Sequence, residues 1–288
     1  MRYAIVTPAR NELDNLTRLA ESLTAQTLLP AYWIIVDDGS DDGTAELAAK
    51  LAAEHDWIHL ELPVPATDGA LTEGRFEGRD LIAFRRGVAA LPEPTEVVIK
   101  VDADTSFDPE YFQILISRFE EQPDLGIAGG SCYELEGGRW ERVKVAETHP
   151  RGASRAYRWE CLQESMSLEP KMGWDGLDEV QASLLGYRTK VFLDIGFRHH
   201  RPMGGRERDR FRAGSVLGRA SWYMGYRPSY LCLRVLYRVR RDPSAVAMLW
   251  GYIAAAVRRT PRCPDARLIQ HLREQQRLRT VVLRGSPP

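Results

Sequence analysis

The 288 residues are 44% apolar, enough for a sizeable core, which excludes a disordered chain and a collagen-like fibre. The formal net charge of −1 hides a division. Residues 197–288 hold 20 basic and 5 acidic side chains, while residues 1–196 hold 19 basic and 35 acidic ones, so the basic C-terminal part calls for a polyanionic partner.

Residues 3–6 form a short apolar run ending in Thr7-Pro8, which predicts a buried strand. Asn11 then precedes a helical pattern with Leu13, Leu16, Leu19, Ala20 and Leu23 on one face, and Pro30 ends it. Residues 33–36 predict a second buried strand, stopped by Asp37-Asp38-Gly39-Ser40. Thr44 is the predicted cap of the next helix, which carries Leu47 and Leu51. Residues 63–80 read as a long surface loop, and residues 97–99 as a strand leading into Asp102-Ala103-Asp104.

Further strands are predicted over 126–131 and 191–195, with a hairpin turn at Gly137-Gly138. Arg151, Arg155 and Arg158 stand at near-helical spacing, suited either to an anionic ligand or to a solvated face. Residues 175–185 predict a helix with Gly186 just past its end. From about Arg206 the chain turns to Arg-rich helical segments. There Val246, Leu249, Trp250, Ile253 and Val257 make one apolar stripe. The longest apolar run, residues 245–257, has 13 residues against the roughly 20 needed to cross a bilayer.

Alternating strands and helices at this spacing predict an α/β domain with a mostly parallel sheet, whose ligands bind at the carboxyl ends of the strands. Three polar clusters fall there: residues 8–12, Asp37-Asp38 and residues 102–104. Asp102 and Asp104 offer hard oxygen ligands of the kind that hold Mg²⁺ or Mn²⁺ against phosphates, or they form an ordinary Asp turn. Asp37-Asp38 suits ribose hydroxyls or a base N–H as well as a tight turn. Asp175 is either a helix N-cap or a general base. His199-His200-Arg201, after the last predicted strand, adds a metal or phosphate candidate. The four cysteines are far apart and form no CxxC, which fits a reducing compartment.

In this order the motifs resemble the family 2 glycosyltransferases, which have the GT-A fold. The residues that carry the likeness are Val6 to Glu12; Ile35 to Ser40 with Asp42-Gly43-Thr44; Lys100 to Asp104; Gly129-Gly130; Trp174-Asp175; Leu184 to Arg188; and His199. The resemblance implies a nucleotide-sugar-binding catalytic domain over residues 1–205 and a basic helical extension over 206–288. It assigns Thr7, Pro8, Ala9, Glu12, Asp37 and Asp38 to nucleotide binding and Arg79 to the diphosphate. Asp102 and Asp104 become the metal-binding Asp-x-Asp, with His199 completing the metal site. The family's base, from a Glu-Asp pair, falls in register on Asp175. Trp174 replaces the Glu here, and Asp178 is the second candidate.

The implied function is metal-dependent, inverting sugar transfer from a nucleotide diphosphate sugar to a hydroxyl acceptor, a glycan or lipid-linked precursor, in bacterial polysaccharide or glycolipid synthesis, with Mn²⁺ or Mg²⁺. The alternatives are a sugar nucleotidyltransferase and an inactive membrane-bound scaffold of the same fold. The basic helices suit an anionic membrane surface or a second subunit in a homodimer. No nucleic-acid module accompanies the charge, so no nucleic-acid partner is expected. A cytoplasmic location, peripheral on the inner membrane face, follows as the expectation.

Overall fold

The computed structural model describes residues 1–62, 79–200, 207–240 and 242–277, and for 207–210 the backbone alone. The predicted loop over 63–80 lies outside these residues except for its last two, which are helical, and so do Arg201 and the side chains of Arg208 and Arg210. By packing, the described residues form two units. One comprises 1–62, 79–167 and 185–200, and the other comprises 168–184 and the residues after 206.

The first unit is built on one nine-stranded mixed sheet. Strands β1 (Tyr3–Ala9), β2 (Tyr32–Asp37) and β4 (Val97–Val101) are nearly continuous apolar runs because helices cover both faces of a parallel sheet. With β3 (Ile58–Glu61) they run parallel, in the order β3-β2-β1-β4. β8 (Ser154–Arg158) then pairs antiparallel with both β4 and β6 (Leu125–Glu136). β6 therefore points the same way as β4, and so does β9 (Arg188–His199), which lies parallel to β6. The C-terminal ends of β1, β2, β4, β6 and β9 thus meet one edge of the sheet. β5 (Thr105–Phe107) closes the row antiparallel to β9, and β7 (Arg139–Arg142) folds back on β6 through Gly137 and Gly138, at φ +56° and +82°.

Helix α1 (Leu13–Thr24) lays Leu16, Leu19, Ala20 and Leu23 on the sheet, as its periodicity predicts, but stops six residues short of Pro30. α2 (Thr44–Glu54) follows β2, and α3 (Arg79–Ala89) precedes β4. α4 (Tyr111–Glu121) buries Phe112, Leu115, Ile116 and Phe119, and α5 (Trp159–Ser165) follows β8. Thr44 is not the cap of α2: Gly43 holds that position, and the Thr44 amide donates to Asp42 Oδ1 at 3.0 Å. The Arg151–Arg158 stretch is not helical either. Arg151 precedes, and residues 154–158 form, β8, a central strand in which the Arg155 guanidinium is buried and donates to the Pro150 carbonyl. Arg158 likewise spends its donors on the carbonyls of Phe119, Gln122 and Leu125. These arginines tie backbone together rather than forming a solvated face.

The second unit is helical: α6 (Trp174–Leu184), α7 (Glu207–Tyr223), α8 (Pro228–Val239), a 3₁₀ turn (Pro243–Val246), α9 (Ala247–Val257) and α10 (Ala266–Gln275). It takes in α6 as well as the residues after 206. Its core joins Leu177, Tyr223, Tyr226, Val235, Met248, Tyr252, Leu268 and Leu272. The Tyr252 hydroxyl, buried there, donates to the Tyr226 carbonyl at 2.9 Å. α7 and α9 touch backbone to backbone, since a Cβ on Gly218 would stand 2.0 Å from the Met248 carbonyl oxygen and one on Gly251 1.9 Å from that of Ser215.

Candidate functional site

Because β1, β2 and β4 are neighbours, the loops that follow them lie side by side. The first two are knitted together. The Asn11 amide donates to Ser40 Oγ at 3.0 Å, the Asp41 amide to Asn11 Oδ1 at 3.0 Å, and the Glu12 amide to Thr44 Oγ1 at 2.9 Å. Asn11 sits at φ +54°, a left-handed conformation that Asn tolerates better than most residues. The Glu12 carboxylate accepts from Asn15 Nδ2 at 2.7 Å.

The predicted nucleotide-binding residues therefore divide by role. Thr7 is buried, and its hydroxyl accepts from the Trp33 indole at 3.0 Å; Pro8 and Ala9 pair in register with Val36 and Asp37. The Asp37 carboxylate is also buried and closes its own turn, accepting from the amides of Gly39 and Ser40 and from the Ser40 hydroxyl. These four shape the loops from beneath. Asp38 is the more open carboxylate, and it holds Arg79 at 2.9 Å, joining the loop after β2 to the first turn of α3.

At the end of β4, Asp102 is bonded to Lys100, a lysine buried within the strand. Burial alone would lower the Lys100 pKa, but the charges of Asp102, Asp80 and Asp104 hold it above its usual value. The first carboxylate of the Asp-x-Asp is thus partly neutralised by a cation of the chain itself.

Asp104 faces elsewhere. It is buried, and its Oδ1 stands 3.4 Å from His199 Nε2. His199 does not follow the last strand, as the sequence suggests, but is the final residue of β9, where the register sets it opposite Glu134 of β6. Its Nδ1 lies 3.2 Å from Glu134 Oε1, and Glu134 in turn accepts from Arg151 at 3.1 Å. The imidazole is gripped at both nitrogens by carboxylates. Burial works against the charged ring, yet the bonds to Asp104 and Glu134 prevail and push its pKa up to about 9. Glu134 itself is held below its ordinary value, since His199 and Arg151 outweigh burial. His200 turns away to Ser106 Oγ at 2.8 Å, against the Trp140 ring.

This arrangement has a measurable consequence in chelator-treated protein. The folded His199 pKa exceeds its unfolded value near 6.5, so the stabilisation is complete below about pH 6.5 and is lost as pH rises through about 9. About 3 kcal/mol of unfolding free energy is expected to disappear across that window. Denaturant titrations at stepped pH check it, and His199→Gln should flatten the slope.

The donor set suits a hard or borderline divalent ion. Asp104 offers oxygen and His199 offers nitrogen from converging directions, while Glu134 fixes the ring through its other nitrogen. Cys132 also lies close to Glu134 and His199, with ligand atoms within 4.8 Å. Burial pushes its thiol up to about 11, so it stays protonated and is a poor ligand for Mg²⁺ or Mn²⁺. Gly129 and Gly130 are packing residues. A Cβ would meet the Ser154 carbonyl oxygen at 2.6 Å from the first, and the Tyr111 ring at 2.7 Å from the second.

The two candidate bases lie on α6, in the helical unit. Asp175 is half-buried in the first turn, whereas Asp178 is fully buried, with 0% of its surface exposed.

Sequence comparison agrees with this layout. Residues 4–73, which span β1 to β3, match the profile of the glycosyl transferase family 2. Over these residues the chain is similar to glycosyl transferase family 2. Polyprenol monophosphomannose synthase from Mycolicibacterium smegmatis is 31% identical over 184 residues, 57% of this chain and 64% of the relative. The chain thus spans less than two thirds of that relative's length. Among solved structures, a mannosyltransferase from Pyrobaculum calidifontis, in complex with GDP-Man and Mn²⁺, superposes with a TM-score of 0.57 at 16% identity, covering 97% of this chain and 83% of that one. TarS 1-349 from S. aureus, in complex with UDP-GlcNAc, gives 0.54 at 14% identity, covering 99% and 92%. Both likenesses establish the GT-A fold for this chain.

The roles of three residues of the site escape the sequence reading. Lys100 was visible as a lone charge inside an apolar run just before Asp102. Glu134 follows Ala128, Gly130 and Cys132 on one buried strand face, where a carboxylate is out of place unless partnered. Arg151 stood out only as one of three spaced arginines, and the fold alone brings it to Glu134.

Proposed function

We propose that this chain is a family 2 glycosyltransferase that transfers a sugar from a nucleotide diphosphate sugar to a hydroxyl acceptor, with inversion at the anomeric carbon and with Mn²⁺ or Mg²⁺ bound at Asp104 and His199. The observation that carries the reading is the Asp104–His199–Glu134 chain at the same sheet edge as the loops after β1, β2 and β4. The GDP-Man and Mn²⁺ of the Pyrobaculum protein and the UDP-GlcNAc of TarS support the class of donor. The mycobacterial relative's name supports a lipid-linked acceptor.

In this reading the loop of residues 7–12, with Asp37 and Asp38 across from it, receives the nucleoside, and Arg79, anchored on Asp38, faces the diphosphate. Lys100 keeps Asp102 from adding a full negative charge where an anionic donor must approach. A bound divalent ion supplies Lewis-acid neutralisation of the leaving diphosphate. Asp175 takes the proton from the acceptor hydroxyl, which attacks opposite the diphosphate through an oxocarbenium-like transition state. Asp178, wholly buried, keeps a structural role in α6. The transfer takes place beside an anionic membrane, to which the basic helical region is drawn.

Calorimetric titration of the full chain with GDP-, UDP- and dTDP-sugars, with Mn²⁺ and with chelator, tests the proposal. Metal-dependent binding of at least one donor is the expected result, and no binding by any of them overturns it.

A positioning role for Glu134 follows. Glu134→Gln is expected to weaken Mn²⁺ binding by about 10–100-fold, because the imidazole loses the carboxylate that orients it. Electron paramagnetic resonance of free Mn²⁺ reads the affinity directly, and an unchanged melting temperature in chelator separates this from a folding defect.

A further inference from the structure

α9 lacks a polar face. From Ala247 to Val257 it reads Ala-Met-Leu-Trp-Gly-Tyr-Ile-Ala-Ala-Ala-Val, without one charged residue. Ala247, Met248, Gly251, Tyr252 and Ala255 are buried within the helical unit. At 100° per residue, Trp250, Ile253 and Val257 fall within about 60° of arc on the opposite side, and Val246 immediately precedes the helix. Trp250 is 72% exposed and Val257 76%, with Ile253 and Val246 at least half exposed. A helix that is apolar all round is ordinarily buried all round, and this one is buried on one side alone.

Its surroundings decide what covers the other side. Arg240 precedes it at the end of α8, and Arg258 and Arg259 follow it directly, all exposed. Every basic residue from 197 to 288 is an arginine, and together they outnumber the acids there by 15. A second copy packed on this stripe by two-fold symmetry would set one arginine cluster against another. At 11 residues the helix is about 16 Å long, half the hydrocarbon thickness, so it cannot span a bilayer. An apolar stripe with tryptophan at its centre and arginines at both ends matches the interface of an anionic bilayer.

We propose that the outer face of α9 docks on an anionic lipid surface, with Trp250, Ile253 and Val257 entering the headgroup–acyl boundary and Arg240, Arg258 and Arg259 meeting lipid phosphates. This deepens the membrane element of the proposed function by naming the surface that makes the contact.

Co-sedimentation of the full chain with phosphatidylcholine vesicles, with and without phosphatidylglycerol, tests it. Binding is expected to anionic vesicles only and to fall with added salt. Trp250→Glu should weaken it by at least about tenfold, and the Arg258→Gln/Arg259→Gln pair by roughly 30-fold. Trp250→Phe should keep the binding but lose part of the fluorescence quenching by brominated lipid. Unaltered vesicle binding in both the Glu and the Gln variants overturns the proposal. So does a dimer, by sedimentation velocity, that Trp250→Glu dissociates while no vesicle is bound. Nucleotide-sugar titration separates the two readings. Vesicle binding without donor binding sinks the reaction and leaves the docking face, and donor binding without vesicle binding does the reverse.

Discussion

Asp104→Ala is expected to reduce sugar transfer by at least about 10³-fold and to bring nucleotide-sugar affinity in Mn²⁺ down to its value in chelator. Charge neutralisation at a leaving diphosphate is worth several kcal/mol, and about 4 kcal/mol is a factor of 10³ in rate. The geometry concentrates that effect on one carboxylate. Asp102 is already bonded to Lys100, so it brings less negative charge to an ion than its place in the motif suggests. Asp104 is buried against His199, whose far nitrogen is fixed by Glu134. Asp102→Ala should therefore cost less than Asp104→Ala, and parallel titrations of donor and Mn²⁺ on both variants measure the difference. Equal losses would show that Lys100 does not distinguish the two carboxylates. The Ala variant should also lose most of the stability dependence above pH 6.5, since His199 then keeps a single carboxylate partner.

The parts of the fold that the sequence reveals are those whose burial is local. β1, β2 and β4 announce themselves because both faces are covered, so every position is apolar. α1 does so because one face is covered at a helical period. β8 stays hidden for the opposite reason: Arg155 and Arg158 stand in it, satisfied by carbonyls that reach them only through the fold. β5, three residues long, is too short to show a period.

The site divides the same way. Asp37, Asp38, Asp102 and Asp104 are legible because each lies at the end of a legible strand. Glu134 is not, because its partner lies 65 residues on and they meet only through the β6–β9 register. That register also carries irregularities at Leu125/Ile127 and Gly130/Ser131, and an odd shift flips a strand's faces, so strand alternation alone would misplace the partner. The sequence does show α9 as an apolar stripe; which side of it stays open depends on α7 and on the glycines that let the two helices touch.

Asp175→Asn is the second substitution with a large expected effect, a loss of about 10²–10⁴ in kcat with donor affinity unchanged. Asparagine keeps the size and the hydrogen-bonding shape but cannot accept a proton, so the variant isolates the basic function. Two observations separate Asp175 from Asp178, three residues on. Asp175 is half-buried in the first turn of α6, so part of its side chain is open to an acceptor hydroxyl. Asp178, wholly buried, has no surface to offer an acceptor hydroxyl. Asp178→Asn should accordingly appear as lost stability, about 1–3 kcal/mol from disturbed buried hydrogen bonding, with kcat per folded molecule retained. Measuring kcat, donor affinity and melting temperature on both variants decides the matter. If Asp178→Asn lowers kcat at an unchanged melting temperature while Asp175→Asn turns over normally, the base is not Asp175, and register alone has misassigned it.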